Sequence, residues 1–512
     1  LNEEELGKLI ARRHPEYNSR VNHWNFLEAC YEGGRDWFKD NVFRYIKEGD
    51  TEYGDRVDRA YRFNHTKEVV DLVSKYIFKA KISRNEEDAP EQISKFWTRA
   101  TKRSSSIKKF IRSIEKESSI YGRIWVVIDN NKVGLQSSDE ETDDNGTKRD
   151  DELNDTREYG YTVKPQHVLD MSYGDDGHLN WILIMETRRD DEDPFAASGD
   201  ETKVYRLWTR DDWYLIEATD DGGKIGDSGS HKLGIVPIFS VDHNDSDELY
   251  SSPSLIGDIS YLDRAVANYL SNLDAIIQDQ SFSQLAMPAQ GILPGESAYK
   301  KLVEMGTKRI FLFDGEHGGQ PFYLSPDPRQ AELIITVVTK IINEIYHSVG
   351  MAGERTKQDN AVGIDNSSGV AKAYDFERVN ALLTSKAASL QRAEVKMMEL
   401  VMKWHGEDAD LDYLNSLVTY PETFDIRGLS DEFDIANQLM LISAPTEMKK
   451  EQMRALVDKL FPRIKKELKV KMIAEIDEMS DELLMPESSL IPQDDDISED
   501  KNDDADDSAS DK

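Results

Sequence analysis

The sequence predicts an α+β fold, on three observations. Apolar residues recur at helical spacing from the start of the chain to about Lys81 and again after Pro253. Between Arg123 and Val241 the period drops to two, in β-branched runs separated by turn residues. The chain has 512 residues, enough for two or three domains around a core that needs no metal or disulfide staple.

Val69, Val70, Val73, Ile77 and Phe78 mark the core side of the opening helical region. A second helical stretch, Gln92 to Ser118, carries the basic residues Lys95, Arg99, Lys102, Arg103, Lys108, Lys109 and Arg112, with no acid between Lys95 and Ile114. Arg123 to Ile128 reads as a strand closed by the turn pair Asp129 and Asn130. Tyr161 to Val163, Leu179 to Thr187, Thr202 to Thr209, Trp213 to Ala218 and Ile235 to Val241 follow as strands. Their links are too short for crossover helices, so they predict an antiparallel meander. Gln136 to Glu158 is charged and poor in apolar residues, and reads as a long exposed insertion.

Ser252 and Pro253 read as the N-cap and first residue of a helix from Ser254 to Ser281, about 28 residues and roughly 40 Å long. Its apolar stripe is Leu255, Ile259, Leu262, Val266, Leu270, Leu273 and Ile277, with Tyr269 beside Leu270. A compact segment comes next, with a small helix near Ala298 to Met305, strands at Arg309 to Phe313 and Phe322 to Leu324, and a Gly-rich turn between. A returning helix runs from Ala331 to Val349. Ala352 to Ser368 is a polar break holding Gly353 and Gly363, and the longest helix spans Gly369 to His405. A strand near Leu417 to Tyr420 and helices at Asp434 to Leu441 and Thr446 to Ile476 complete the pattern. From Glu475 onward there are sixteen acids and two lysines, which predicts a disordered tail.

Composition narrows the function classes. The formal net charge is −35, from 99 acidic and 64 basic residues, so bulk phosphate neutralisation will not hold this chain on nucleic acid. Cys30 stands alone, which excludes an intramolecular disulfide and any cysteine-based metal centre. No run approaches the roughly 18 apolar residues of a membrane span, and the acids Glu3, Glu4 and Glu5 stand where a signal peptide would be basic.

Motifs for nucleotide, zinc or acyl chemistry are absent. His317 sits with Asp314 and Glu316 in a Gly-rich turn that preorganises nothing. Asp242, Asn244 and Ser246 imitate the start of a calcium loop, but Asp247 occupies the position that needs Gly. The acids Asp190 to Asp193 read as a solvated loop. The basic stretch from Lys95 to Arg112 has two readings, a contact for phosphate or an exposed helix paired with acidic neighbours. We expect no enzyme, no cofactor and no metal. The competing classes are a metal-dependent nucleic-acid enzyme, which needs a convergent carboxylate or histidine cluster, and a cytosolic helical scaffold.

The layout is that of a stalk: a strand-rich region, a long helix, a small α/β insertion, a returning helix, a polar break and a very long helix. Together with Trp24, Tyr31, Gly33 and Gly34 near the start, Leu233 to Ile238 closing the strand-rich region, and Ser368 and Gly369 opening the long helix, this order resembles the portal, or head-to-tail connector, family of tailed bacteriophages over most of the chain.

The resemblance implies a wing at 1–253, stem helices at 254–289 and 331–351, a clip at 290–330 and a tunnel loop at 352–368. It continues with a long wing helix and strand at 369–433, a crown at 434–478 and an acidic tail at 479–512. It also implies a ring of twelve subunits at the capsid vertex of the virion, assembled in the host cytoplasm, with no membrane. Its partners would be double-stranded DNA, the terminase large subunit, a head-completion adaptor, and scaffolding and major capsid proteins. On this reading Arg355, Lys357, Gln358, Asp359, Asn360, Asp365 and Asn366 face DNA, and the stripe from Leu255 to Ile277 forms the subunit interface. Lys308, Arg309, Asp314, Glu316 and His317 would dock partners at the clip. An acidic lumen suits sliding, because it repels phosphate.

Overall fold

The chain is an α+β protein, and its opening helices form where the apolar spacing places them. α1 (Glu3–Ile10) starts in a capping box: Asn2 Oδ1 accepts from the Glu5 amide at 2.8 Å, and the Glu5 carboxylate accepts from the Asn2 amide at 3.0 Å. α2 (Tyr17–Glu32), α3 (Arg35–Asn41) and α4 (Asp50–Arg59) follow, then α5 (His65–Lys79), which Asn64 caps through the Lys67 amide. Val69, Val70, Val73, Ile77 and Phe78 are buried, as their spacing requires. The computed structural model describes residues 2–46, 48–130, 157–191, 193–195, 197–219, 222–280, 284–288, 310–313, 320, 322–324, 329–351, 369–422, 424, 446–460 and 466–478.

The basic stretch is two helices rather than one. A two-residue strand, β1 (Ser83–Arg84), precedes α6 (Glu91–Thr98) and α7 (Ile107–Tyr121). Between these helices the chain turns on bonds from Ala100 N to Ser105 O and from Ser104 N to Thr101 O, both 2.8 Å. Three successive serines there compete for the backbone bonds that a continuous helix needs.

The strands divide into two sheets, where one meander was predicted. β2 (Arg123–Asn130) is the centre of a three-stranded sheet, between β3 (Glu158–Val163) and β9 (Ile238–Asp242), both antiparallel to it. Asp129 and Asn130 therefore continue the strand instead of turning, and Glu158 belongs to β3 rather than to an insertion. The meander is the other sheet, in the order β4 (Val168–Tyr173), β5 (Leu179–Arg189), β6 (Glu201–Thr209), β7 (Asp212–Thr219), β8 (Gly222–Ser230). β4 and β8 escaped the sequence pattern. β8 is rich in Gly and Ser, and it pairs because β7 and α1 cover it. Ile235 to Pro237 lie before β9, where the Pro237 carbonyl accepts from Ile128 N at 3.0 Å.

The first long helix, α8, is Ile259–Gln280 and begins later than Pro253. The intervening residues are held against the end of α7. Ser254 Oγ donates to the carbonyls of Ser119 and Ile120, and the Ser252 hydroxyl goes to Asn244 O instead of capping a helix. Gly122 permits this approach, since its φ is +84° and a Cβ there would stand 2.0 Å from Ser252 O.

Beyond α8 come β10 (Gln284–Pro288), β11 (Ile310–Phe313) and β12 (Phe322–Leu324), with β10 central, parallel to β11 and antiparallel to β12. The predicted helix at 298–305, the turn at 315–319 and the helix at 434–441 lie outside the described residues, as do 131–156 and 479–512. α9 (Arg329–Ser348) returns antiparallel to α8, and α10 (Gly369–Trp404) is the longest helix. Then α11 (Leu411–Ser416) leads to β13 (Val418–Thr419), which pairs with β1. These elements form one compact unit, Leu1–Phe424. A second unit, Asp425–Lys512, contains α12 (Thr446–Leu460) and α13 (Lys466–Glu478), two helices where one was predicted. No helix among the described residues is long and apolar enough to cross a membrane.

Within the first unit, α10 is pinned by a buried polar cluster. Lys386 Nζ donates to Ser118 Oγ at 2.7 Å and lies 3.2 Å from His243 Nδ1, while Ser119 Oγ donates to Glu115 Oε1 at 3.1 Å. Glu115, Lys386 and His243 are 0%, 1% and 2% exposed. Burial pushes the Lys386 ammonium down to about 8 against the pull of Glu115 and Asp242, and pushes the Glu115 carboxyl up. Burial and the Lys386 charge hold His243 well below the usual imidazole range. Replacing Lys386 by Met strands Glu115, and chemical denaturation should register a loss of about 3–5 kcal/mol. Adding Glu115→Gln should recover part of that loss. Between pH 8 and 10.5 the unfolded lysine is protonated and the folded one is not. Stability of the native sequence relative to Lys386→Met should therefore rise with pH in that window, by at most about 1.4 kcal/mol per unit.

Candidate functional site: the helical stalk

α8 and α9 form an antiparallel pair that carries the small β10–β12 sheet, and a polar seam fixes the lower half of the pair to the opening helices. Asp263, on the first turns of α8, is fully buried and accepts from Thr66 Oγ1 at 2.9 Å, with Arg62 NH1 at 3.6 Å. Arg62 is itself stacked 4.0 Å above the Trp37 ring. One turn up, Asn268 donates to Asn41 O and accepts from Phe43 N, both at 2.9 Å. Arg56, 2% exposed, grips the Glu48 carboxylate with two bonds of 2.7 Å and donates to Ser271 Oγ at 3.0 Å. Its guanidinium raises no unpaired charge, because Glu48 is held below the usual carboxylate range by those same bonds. On α9, the Tyr346 hydroxyl bonds Glu68 at 2.5 Å and stands 3.1 Å from His65 Nδ1.

The predicted interface stripe lies largely inside the chain. Leu255, Ile259, Val266, Leu270 and Leu273 are buried, and Leu262 is half-buried against the same core as Val338, Ile342 and Ile345 of α9. The returning helix and the opening helices are the mate of this stripe, which corrects the assignment of those residues to a subunit interface. Ile277, near the far end of α8, is 47% exposed. There the burial reverses: Leu333 is 64% and Ile335 52% exposed on the first turns of α9. Neither residue falls on the helical repeat Ile334, Val338, Ile341 and Ile345. Lys308, Arg309, Asp314, Glu316 and His317, and the whole loop with Arg355, Lys357, Gln358, Asp359, Asn360, Asp365 and Asn366, lie outside the described residues.

A cleft of 410 Å³ opens between β9, the β4–β5 hairpin and α10, lined by Trp125, Tyr173, His178, Ile238 and Arg392 among others. Its acids are engaged: Asp242 accepts from Nε and Nη2 of Arg123 at 2.6 and 2.7 Å, and Asp245 pairs with Arg392. Asp242 thus serves an ion pair, and the exposed Asn244 accepts from Ser252 Oγ through its backbone carbonyl. Asp190 likewise closes a hairpin, accepting from the Ser198 amide at 3.0 Å. Among the described residues no group of three His, Cys, Asp or Glu side chains is placed to hold a metal ion.

Fold and site together define an α+β chain with a helical stalk. No family model matches it, and no curated protein matches it. Among solved structures it is similar to a chain in the neck of an empty GTA particle, computed with C6 symmetry. The two are 12% identical with a TM-score of 0.40, and the match covers 86% of this chain and 98% of that one. At that identity and score they share a loose likeness only.

The seam predicts a stability effect. Asp263→Ala leaves the nearly buried Arg62 without its carboxylate, and should cost about 3–5 kcal/mol. Asp263→Asn, which keeps an acceptor for Thr66, should cost less. Urea titration measures both, as a fall in midpoint with an unchanged slope.

Proposed function

We propose that the chain is a subunit of a portal-type head-to-tail connector, a ring through which double-stranded DNA enters and leaves a phage capsid. The observation that carries this reading is the stalk. Its lower half is built into the chain, whereas its far half holds Leu333 and Ile335 in solvent beside the small sheet. Exposed apolar side chains grouped at one end of a rigid pair of helices mark a contact surface. Copies packed head to tail would cover it, and such a heterologous contact closes into a ring when its rotation divides the circle. The interface is thereby moved from the buried stripe to the outer side of α9. On this reading the chain is structural rather than catalytic, works in the virion at the capsid vertex, and is assembled in the host cytoplasm.

The remaining roles are those that the resemblance implies. The small sheet and 290–330 would form the clip, with Lys308, Arg309, Asp314, Glu316 and His317 meeting the terminase large subunit and later the head-completion adaptor. The segment 352–368 joins the C-terminal end of α9 to α10 and would present Arg355 and Lys357 to DNA among acids that keep contact brief. Scaffolding and major capsid proteins would surround the wing, and twelve subunits would complete the ring in the virion.

Negative-stain microscopy and light scattering of the purified chain should find rings with a central hole; a stable monomer at micromolar concentration defeats the proposal. Leu333→Asp with Ile335→Asp should dissociate the ring while leaving the far-ultraviolet spectrum unchanged, since a charge at a desolvated interface costs several kcal/mol. Deleting 357–366 should leave rings intact and impair DNA packaging in an assembly assay.

A further inference from the structure

In a chain of net charge −35, one face is basic and stays basic in three dimensions. Lys102, Arg103, Lys108, Lys109 and Arg112 are all exposed, on the turn before α7 and along that helix. Among the described residues none of the five has an acidic partner; Lys102 lies over the Tyr159 ring and Arg112 over Phe78, at 5.9 and 4.9 Å. The contact between Arg112 and Phe78, with the 2.6 Å pair between Lys116 and Asp71, sets α5 antiparallel beside α7. The exposed Lys75 and Lys79 of α5 therefore border the same face.

The turn that carries Lys102 and Arg103 is held in shape. Arg157 donates to the carbonyls of Arg99, Thr101 and Lys102 at 2.7, 3.1 and 3.1 Å, and to Ser104 Oγ at 3.1 Å. This fork brings one more positive charge to the turn and lowers the entropy that a ligand would otherwise have to remove. Lys108 and Lys109 occupy the first turn of α7, where the helix dipole favours acids and this sequence has none. An arrangement that adds cations to the positive end of a helix is strained in isolation and relieved by an anion.

We infer that this face binds the phosphate backbone of nucleic acid. Two features favour a polyphosphate over an acidic protein. Protein interfaces use aromatic and aliphatic anchors at their centre, and none of the exposed large hydrophobic residues of this chain falls between Lys95 and Arg112. A phosphate backbone needs no such anchor; it is held by Lys and Arg, by serine hydroxyls and by helix N-termini, all present here. Without an exposed ring for base stacking the face suits duplex better than single strand, and without groups placed to read base edges it is indifferent to sequence.

Fluorescence anisotropy of a labelled random-sequence duplex with the full chain, across a salt series, tests the inference whether or not rings form, so it stands apart from the assembly experiment. Neutralising five phosphates predicts a slope of log K against log salt of about −4.5. Lys108→Gln with Arg112→Gln should flatten that slope by about 2 and weaken binding at least about tenfold, whereas Lys8→Gln with Lys224→Gln should change neither. Absence of salt-dependent binding at low ionic strength overturns the inference, as does a slope that the first pair leaves unaltered. Tighter binding of single strands would overturn the duplex preference. Equal binding of polyglutamate would overturn it in favour of any acidic chain, including the acid-rich run at 139–155 of this sequence.

Discussion

A buried charge without a partner is the constraint on which this architecture turns. Glu115 on α7 and Lys386 on α10 are removed from water at positions far apart in the chain, and each is tolerable only because the other, with Ser118, Ser119 and His243, occupies the same pocket. Apolar packing alone would allow α10 to slide or rotate by small steps over α7 and β9. The cluster admits one register, and α10 then covers the three-stranded sheet through Trp404, whose indole donates to Ile128 O at 3.0 Å.

The same logic operates at the base of the stalk. Asp263, Asn268 and Ser271 bring polar atoms into an interface that is otherwise apolar, and Thr66, Asn41, Phe43 and Arg56 answer them. Hydrophobic burial supplies most of the attraction between α8 and its neighbours, while these directional bonds determine which face of α8 turns inward. Once that face is set, the far halves of α8 and α9 extend beyond the core that could bury them. The exposed Leu333 and Ile335 are a consequence of that geometry.

Charge is distributed as unevenly as polarity. Acids outnumber bases by 99 to 64 over the chain, which favours solubility and weak contact with a moving polyanion. Against this background the helix pair α5 and α7 keeps its cations unneutralised on one side.

Much of the secondary structure was legible in the sequence. The β-branched run at Arg123 to Ile128, the alternation through Leu179 to Thr187 and the spacing along α9 and α10 state their period locally, because amphipathicity is written into neighbouring residues. β8 was not legible: Gly222 to Ser230 has little strand propensity, and it forms because β7 offers an edge and α1 a cover. The extension of β2 through Asp129 and Asn130 likewise depended on β3, since Tyr159 and Glu158 bind those side chains. For the candidate site, the sequence by itself determined that a long amphipathic helix and a returning partner flank a small sheet. Only the tertiary structure decided which apolar residues are spent inside the chain and which remain outside. A stripe records that burial will occur but carries no information about the partner, and here the partner is set by buried hydrogen bonds between residues some two hundred positions apart.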